Sequence, residues 1–282
     1  MDTSVFTDLF DEWTDSALEW VSDNGEFLFD YIRQVLEGLY DGILWLLELP
    51  PFYVVALIVA LIGWRLVNVW FAALSGVALA LCFSMGLWPE TMSTLALVLT
   101  ATAIALAIGI PIGIAAGFFT ALDRFMEPGL DLIQTLPPYI YLLPAIALLG
   151  YGPATALIAT VIVAVPPAVR LTSLGIRMTP KEFIELGEAL GMTPAKMFFK
   201  IRLPFALQSI MAGINQSLMM AFGMVVIAGI VGSGGLGETI YGAIRTLDIA
   251  TSINAAIAIV VLTMVIDRIT QSAARLGTGR KS

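Results

Sequence analysis

Seven nearly uninterrupted apolar runs, at about 43–64, 66–87, 92–119, 130–150, 153–174, 205–232 and 252–272, decide what this chain can become. Each is near or above the roughly 20 residues that a helix needs to cross the hydrocarbon core of a bilayer. Composition agrees: 59% of the residues are hydrophobic and 13% charged, against roughly 25% charged in a soluble globular domain. The sequence therefore predicts an all-α polytopic membrane protein. The first run is the weakest, because Glu48, Pro50 and Pro51 interrupt it and leave 52–64 as its clean apolar part. That part spans only ~20 Å as a helix, short of a full crossing unless tilted. Two counts stand at this point, seven spans or six with a surface helix.

Charge is distributed unevenly. Residues 1–42 hold 11 of the 22 acidic residues and one basic residue, Arg33, so the net charge of -8 arises there. The segment lacks the basic start and continuous apolar core of a signal peptide. It reads as two amphipathic helices broken at Asn24-Gly25. Phe6, Phe10, Trp13, Ala17 and Trp20 form the first apolar stripe, and Leu28, Ile32, Val35, Leu36, Leu39 and Ile43 the second. Such helices either lie at the membrane interface or brace the bundle. An acidic face is a poor ligand for anionic lipid, which favours packing on protein; a solvated acidic tail is the plainer alternative. Basic residues set the orientation. The loop at 175–204 carries Arg177, Lys181, Lys196, Lys200 and Arg202, and the tail at 273–282 carries Arg275, Arg280 and Lys281. Both are expected in the cytoplasm. Counting back through seven spans places the 122–129 loop and Arg65 inside and the N-terminus outside. The organisation is then an acidic region at 1–42, a transmembrane domain at 43–272 and a basic tail at 273–282.

Several chemistries are excluded. With no histidine, the chain has no His-based metal site or pH switch. Cys82 is the single cysteine, so no intrachain disulfide or cysteine metal cluster forms. The C-terminal residues Gly277 to Ser282 look superficially like a phosphate loop, yet Arg280 stands where the second glycine belongs. ATP hydrolysis by that route is ruled out, and no cofactor is expected on this chain.

The most specific signal is a charged island between the fifth and sixth runs. Glu185, Leu186, Gly187, Glu188, Ala189, Leu190 and Gly191 are followed, ten positions on, by Ile201, Arg202, Leu203 and Pro204. Thr179-Pro180 is a helix start with Pro in the first turn, Phe183, Leu186 and Leu190 supply an apolar stripe, and Gly191 permits a sharp turn. Thr193-Pro194 repeats the start signal for a second short helix through Lys200, ending before Leu203-Pro204 enters the membrane. An acidic residue, a glycine six positions later and I-x-L-P resemble the cytoplasmic coupling segment of permease subunits in ATP-binding-cassette importers. An ordinary hairpin between spans is the alternative.

The resemblance extends over roughly residues 50–272 and narrows. The stretches at 130–138, 166–172 and 210–219, then 224–228, Gly234-Gly235-Leu236-Gly237 and Leu247-Asp248, are similar to the permease of the glycine betaine/proline osmoprotectant importers. That resemblance implies a type I importer transmembrane fold of about six to seven helices plus the N-terminal amphipathic helices. It implies two copies of a cytoplasmic ATPase that uses ATP and Mg2+, a second copy of this permease, an external substrate-binding protein and surrounding bacterial membrane lipid, with no nucleic acid. The cargo implied is glycine betaine, proline betaine or proline, with choline, carnitine or an amino acid as alternatives. Leu186 and Gly187 stand where the family's usual signature has alanines.

Combining resemblance with position assigns roles. Glu185, Leu186, Gly187, Glu188, Ala189, Gly191, Ile201, Leu203 and Pro204 form the ATPase-coupling set. Asn215 and Gln216 are amides in an apolar span, costly unless paired or facing water. Asn215, Met219, Phe222 and Val226 share a helical face that suits a cationic or zwitterionic solute; alternatively Asn215 bonds a neighbouring helix while Met219 and Phe222 are core. Pro137, Pro138 and Pro144 predict a broken helix whose freed carbonyls face a cavity beside Gln134, Tyr139 and Tyr141. The tyrosines equally suit the membrane interface. Arg170 either pairs with acidic groups near the loop or snorkels to headgroups. The glycines 232, 234, 235 and 237 predict a tight re-entrant bend on the outer side, and Asp267-Arg268 an anchor for the last span. Gly109, Gly113 and Gly117 around Pro111 predict close helix packing or dimerisation. Two other classes stay open. An ion-coupled secondary transporter more often carries mid-membrane ionisable groups, and a scaffold without a pore needs no coupling loop.

Overall fold

The computed structural model describes the backbone of residues 3–277. The tail residues Arg280 and Lys281, and the side chains of Phe6, Phe10 and Ala17 in the first apolar stripe, lie outside the described residues. Among the described residues the regular structure is entirely helical. The helices are α1 (Thr3–Glu48), α2 (Phe52–Leu66), α3 (Val69–Ser84), α4 (Trp88–Phe118), α5 (Thr120–Thr135), α6 (Leu142–Leu149), α7 (Pro153–Arg177), α8 (Lys181–Ala189), α9 (Pro194–Met197), α10 (Leu203–Ala228), α11 (Gly235–Thr246) and α12 (Ile249–Gly277).

Glycines four residues apart build the centre. A Cβ on Gly109 would lie 2.6 Å from Ala168 Cβ, one on Gly113 2.6 Å from the Val169 carbonyl, and one on Gly117 2.7 Å from Ile176 Cβ. The two numberings rise together, so α4 and α7 pack in parallel with their backbones close. The small-residue face thus serves packing within the chain. Against the other side of α7, Gly175 meets Ala206 and Ser209 while Gly213 meets Leu171 and Pro167, so α10 runs antiparallel. One end of the bundle therefore gathers Phe118, Arg177 and Leu203; the far end gathers Trp88, Pro153 and Ala228.

Parallel α4 and α7 require the chain between them to return across the bundle, which α5 and α6 do with a bend of 104°. The apolar run at 130–150 is thus divided between two helices, with the break at the prolines that predict it. Its first part belongs to α5, whose Asp123, Arg124, Glu127 and Asp131 make it amphipathic, and the helix stops before Pro137-Pro138. Pro137 has no N–H for the Ile133 carbonyl, the partner four residues back. The Tyr141 hydroxyl donates to that carbonyl instead, at 2.9 Å. Tyr141→Phe is expected to leave the carbonyl unpaired and cost about 1–3 kcal/mol. The check is the thermal midpoint in detergent; an unchanged midpoint would show that water satisfies the carbonyl.

Among the described residues, four helices are long and apolar enough to cross a membrane, giving up to six spans if each of two bent pairs is one span. The second bent pair joins Asn24–Glu48 to α2 at 93°, because Pro50 and Pro51 disfavour helix in the residues before them and remove donors. The run at 43–64 is therefore not one straight span. The run at 66–87 contains the 16-residue α3, which pairs with α2; Phe52 stacks on Phe83 with centroids 3.8 Å apart, beside Trp88.

The N-terminal region departs from the two-helix expectation, since α1 runs unbroken through Asn24-Gly25 for 46 residues, about 69 Å. Asn24 Nδ2 donates back to the Trp20 carbonyl at 2.7 Å rather than ending the helix, and one glycine costs only ~1 kcal/mol relative to alanine. The second half of α1 packs on protein: Leu36 and Tyr40 are buried, with Ile32, Ile43, Leu44 and Leu47 alongside. Tyr40 shares a 2.6 Å hydrogen bond with Ser93 at the start of α4. This contact fixes α1 to the far end of the bundle.

Candidate functional site

The charged island folds as a compact unit at the end of the bundle that holds Phe118 and Arg177. α8 begins at Lys181 with Pro180 just before it, one residue later than the proline pattern predicts. Gly191 closes it. With φ of +64°, Gly191 donates to the Glu188 carbonyl at 2.9 Å, and Met192 donates to the Gly187 carbonyl at 3.0 Å, the paired bonds of a Schellman cap. The chain reverses there. Thr193 then caps α9 by accepting from Lys196 N–H, and Pro194 occupies the first turn.

The second short helix does not end before the membrane, as the sequence predicts. A π-helical turn, Phe198–Arg202, carries α9 straight into α10. Pro204 explains it: its ring would clash with the carbonyl four residues back, and the wider i→i−5 register relieves that contact. The two halves of the motif meet through Gly187, which is buried; a Cβ there would lie 2.6 Å from Met197 Cε and 3.0 Å from Ile201 Cδ1. Ile201 is buried while Glu185, Leu186, Glu188, Ala189, Gly191 and Pro204 are exposed and Leu203 is half-buried. Gly187 and Ile201 therefore hold the hairpin together, and the exposed residues are what it presents. Aromatic contacts tie it to the bundle. Phe183 meets Phe205 at 4.8 Å, Phe118 meets Phe198 at 5.8 Å, and the Arg202 guanidinium lies 5.0 Å above the Phe118 ring. The hairpin thus touches both α4 and α10 directly.

Residues that sequence reasoning did not assign extend this anchor. Arg177 pairs with Asp123 at 2.7 Å, and Ser173 donates to the same carboxylate at 2.7 Å. Arg170 takes its partners from α5 and not from the loop; it pairs with Asp131 and donates to Gln134 Oε1 at 2.8 Å. Gln134 is thus an anchor of α5 on α7. The signal was present in the spacing of Asp123, Glu127 and Asp131, one face of a helix, but the partner lies about 40–50 residues away.

The candidate path residues separate. Asn215 Nδ2 donates to Asp267 at 3.1 Å, and Gln271 donates to both oxygens of that carboxylate at 2.8 Å. Asp267 therefore links α12 to α10 as well as sitting near the end of its span. Phe222 is buried and Met219 packs against the same core, while Val226 of the same face is exposed. Gln216 is exposed, in line with Ala212, Gly223, Val226 and Ile230. Tyr139 is exposed beside the α5–α6 bend. At the far end, Gly232, Gly234 and Gly235 have positive φ and form the tight turn into α11.

The profile of the family described as binding-protein-dependent transport system inner membrane component matches residues 109–276, more than half of the chain. The chain belongs to this family. Members similar to it along nearly their whole length include the glycine betaine transport system permease protein OpuAB of Bacillus subtilis, 39% identical over 92% of both chains. The glycine betaine/proline betaine transport system permease protein ProW of Escherichia coli is 37% identical over 94% of this chain and 75% of its own. The glycine betaine/carnitine transport permease protein GbuB of Listeria monocytogenes is 38% identical over 92% of this chain and 93% of its own. Among solved structures, a chain of the MetNI methionine ABC transporter in an inward-facing conformation is similar with a TM-score of 0.60. The match covers 66% of this chain and 93% of that one at 22% identity. The transport-component fold is thereby that of a type I importer, multi-pass and helical, and α4 to α12 hold the family-matched residues.

Proposed function

We propose that this chain is the permease subunit of an ATP-driven importer for glycine betaine and related compatible solutes such as proline betaine or proline. The observation that carries the reading is the exposed hairpin of α8 and α9, packed on Gly187 and wired by aromatic contacts into α4 and α10. Permeases named for glycine betaine at 37–39% identity support the cargo. Two cytoplasmic ATPases bind and hydrolyse ATP with Mg2+, each docking on one hairpin; this chain carries no catalytic group. Two copies of the permease enclose the path, which the exposed stripe with Gln216 and Gly223 on α10 lines. An external binding protein docks at the far end beside α1 and α11. The hairpin and the C-terminus lie in the cytoplasm, as their basic residues favour, and α1 lies outside.

The cycle is alternating access. ATP closes the ATPase dimer, the hairpins move α10 and α4, and the inward-open cavity turns outward to receive solute; hydrolysis resets it. In lipid nanodiscs holding the permease and its ATPase, liganded binding protein is expected to raise ATP hydrolysis several-fold over the unliganded form. The isolated chain is expected to hydrolyse none. Hydrolysis indifferent to the binding protein would contradict the importer reading.

A further inference from the structure

A depression of about 360 Å³ at the far end of the bundle carries opposite charges and aromatic rings in one place. Its walls come from the segment before α7 and the turn after α10, joined where Gly152 N–H donates to the Val231 carbonyl at 2.9 Å. Its floor is one face of α11. Glu238, Tyr241, Gly242 and Arg245 follow at the i, i+3, i+4 and i+7 spacing that puts residues on one face, and Tyr151 lines the same depression. Glu238 and Arg245 stand two turns apart, about 10 Å along the helix axis. They form no salt bridge to each other, and among the described residues Arg245 makes none at all. Its guanidinium rests 5.9 Å from the Tyr241 ring centroid, the outer limit of a cation–π contact. Glu238, which lines the depression, accepts from Gly234 N–H through Oε2 at 2.8 Å, and this orients the carboxylate. A Cβ on Gly242 would meet nothing within 4 Å, so the floor is open between the two charges.

We infer that this depression is a binding site on the permease itself for a small zwitterion that carries a quaternary ammonium and a carboxylate. The inference rests on the permease reading above. Quaternary ammonium ions bind on aromatic faces beside an anion, here Tyr151 and Tyr241 with Glu238. A ligand carboxylate gains a bidentate partner in Arg245, which leaves the Tyr241 face to the ammonium. The site stands where solute leaves an external binding protein and before it reaches the α10 stripe.

The test is saturation-transfer NMR on the methyl protons of glycine betaine with the permease–ATPase complex, without binding protein. The nanodiscs are made from phosphatidylglycerol and phosphatidylethanolamine, so no lipid contributes a trimethylammonium group. Wild-type complex is expected to give a saturable signal. Gly242→Leu adds a branched side chain to the floor, where a Cβ meets nothing within 4 Å, and is expected to abolish it; Tyr241→Leu is expected to weaken apparent affinity on the order of tenfold. Glu238→Gln keeps the acceptor for Gly234 and is expected to weaken it similarly. Arg245→Gln is expected to erase the preference for betaine over choline, which lacks the carboxylate. No signal in the wild type, or identical titrations in all four variants, overturns the site. Uptake by the wild-type system alongside such a result leaves the permease reading standing, whereas binding without any betaine uptake counts against that reading and not against the site.

Discussion

Gly237→Ala is expected to destabilise the protein more than any other single methyl added to this chain. A Cβ at Gly237 would lie 2.0 Å from the Val225 carbonyl oxygen and 2.9 Å from its carbon, and a Cβ at Gly229 would in turn lie 2.2 Å from the Gly237 carbonyl carbon. These contacts are with backbone, so no rotamer change relieves them, and α11 must move away from the end of α10. Overpacking of this kind costs about 1–3 kcal/mol when side chains can adjust, and more when they cannot. The loss propagates, because Leu236 N–H donates to Thr94 Oγ1 at 2.8 Å and holds α11 onto α4. Cys82, buried against Leu236, is the natural reporter. The temperature at which a thiol dye reaches it is expected to fall steeply in Gly237→Ala. Gly242→Ala, placed in open space on the same helix, is expected to raise it slightly. Equal midpoints for the two variants would refute the close packing.

Gly191→Asp is expected to stop uptake while leaving the folded permease intact. The position has φ of +64° and open space around its Cβ direction. Aspartate visits the left-handed region more readily than most residues, at about 1–2 kcal/mol, so α8 keeps its cap. What changes is the surface offered to the ATPase, where a new carboxylate joins Glu185 and Glu188 and blocks close approach of a partner backbone. Uptake is expected to drop by on the order of tenfold or more, a coupling loss of at least ~1.4 kcal/mol, with assembly kept or only weakened. Normal uptake by that variant would remove the hairpin from the coupling step.

Local chemistry made much of this legible. Gly191, Thr193-Pro194 and Pro137-Pro138 each act within a few residues, and the cap, the helix start and the break appear where their chemistry requires. Apolar runs gave the class but not the path of the chain, because length and hydropathy do not say whether a segment is straight. The run at 130–150 divides at its prolines, and α5 turns its charges onto α7. Asn24-Gly25 misled in the other direction, since a weak local breaker lost to the helix continuing on both sides. Arg170, Asn215 and Phe222 were ambiguous for a further reason. Each has its partner on an element distant in sequence, α5 for Arg170, α12 for Asn215 and the core around α4 and α7 for Phe222, and no periodicity within one helix encodes that partner. Asp267, near the end of its span and held by Asn215 and Gln271, belongs to the same class.

The measurement that bears most directly on the account is uptake of labelled glycine betaine into proteoliposomes. They contain this permease with its ATPase, the binding protein outside and ATP within, and each component is omitted in turn. The account predicts accumulation only when all are present together. Accumulation without the ATPase would contradict it and place the chain among secondary transporters. A complex that assembles, hydrolyses ATP and still takes up no betaine would contradict the choice of solute.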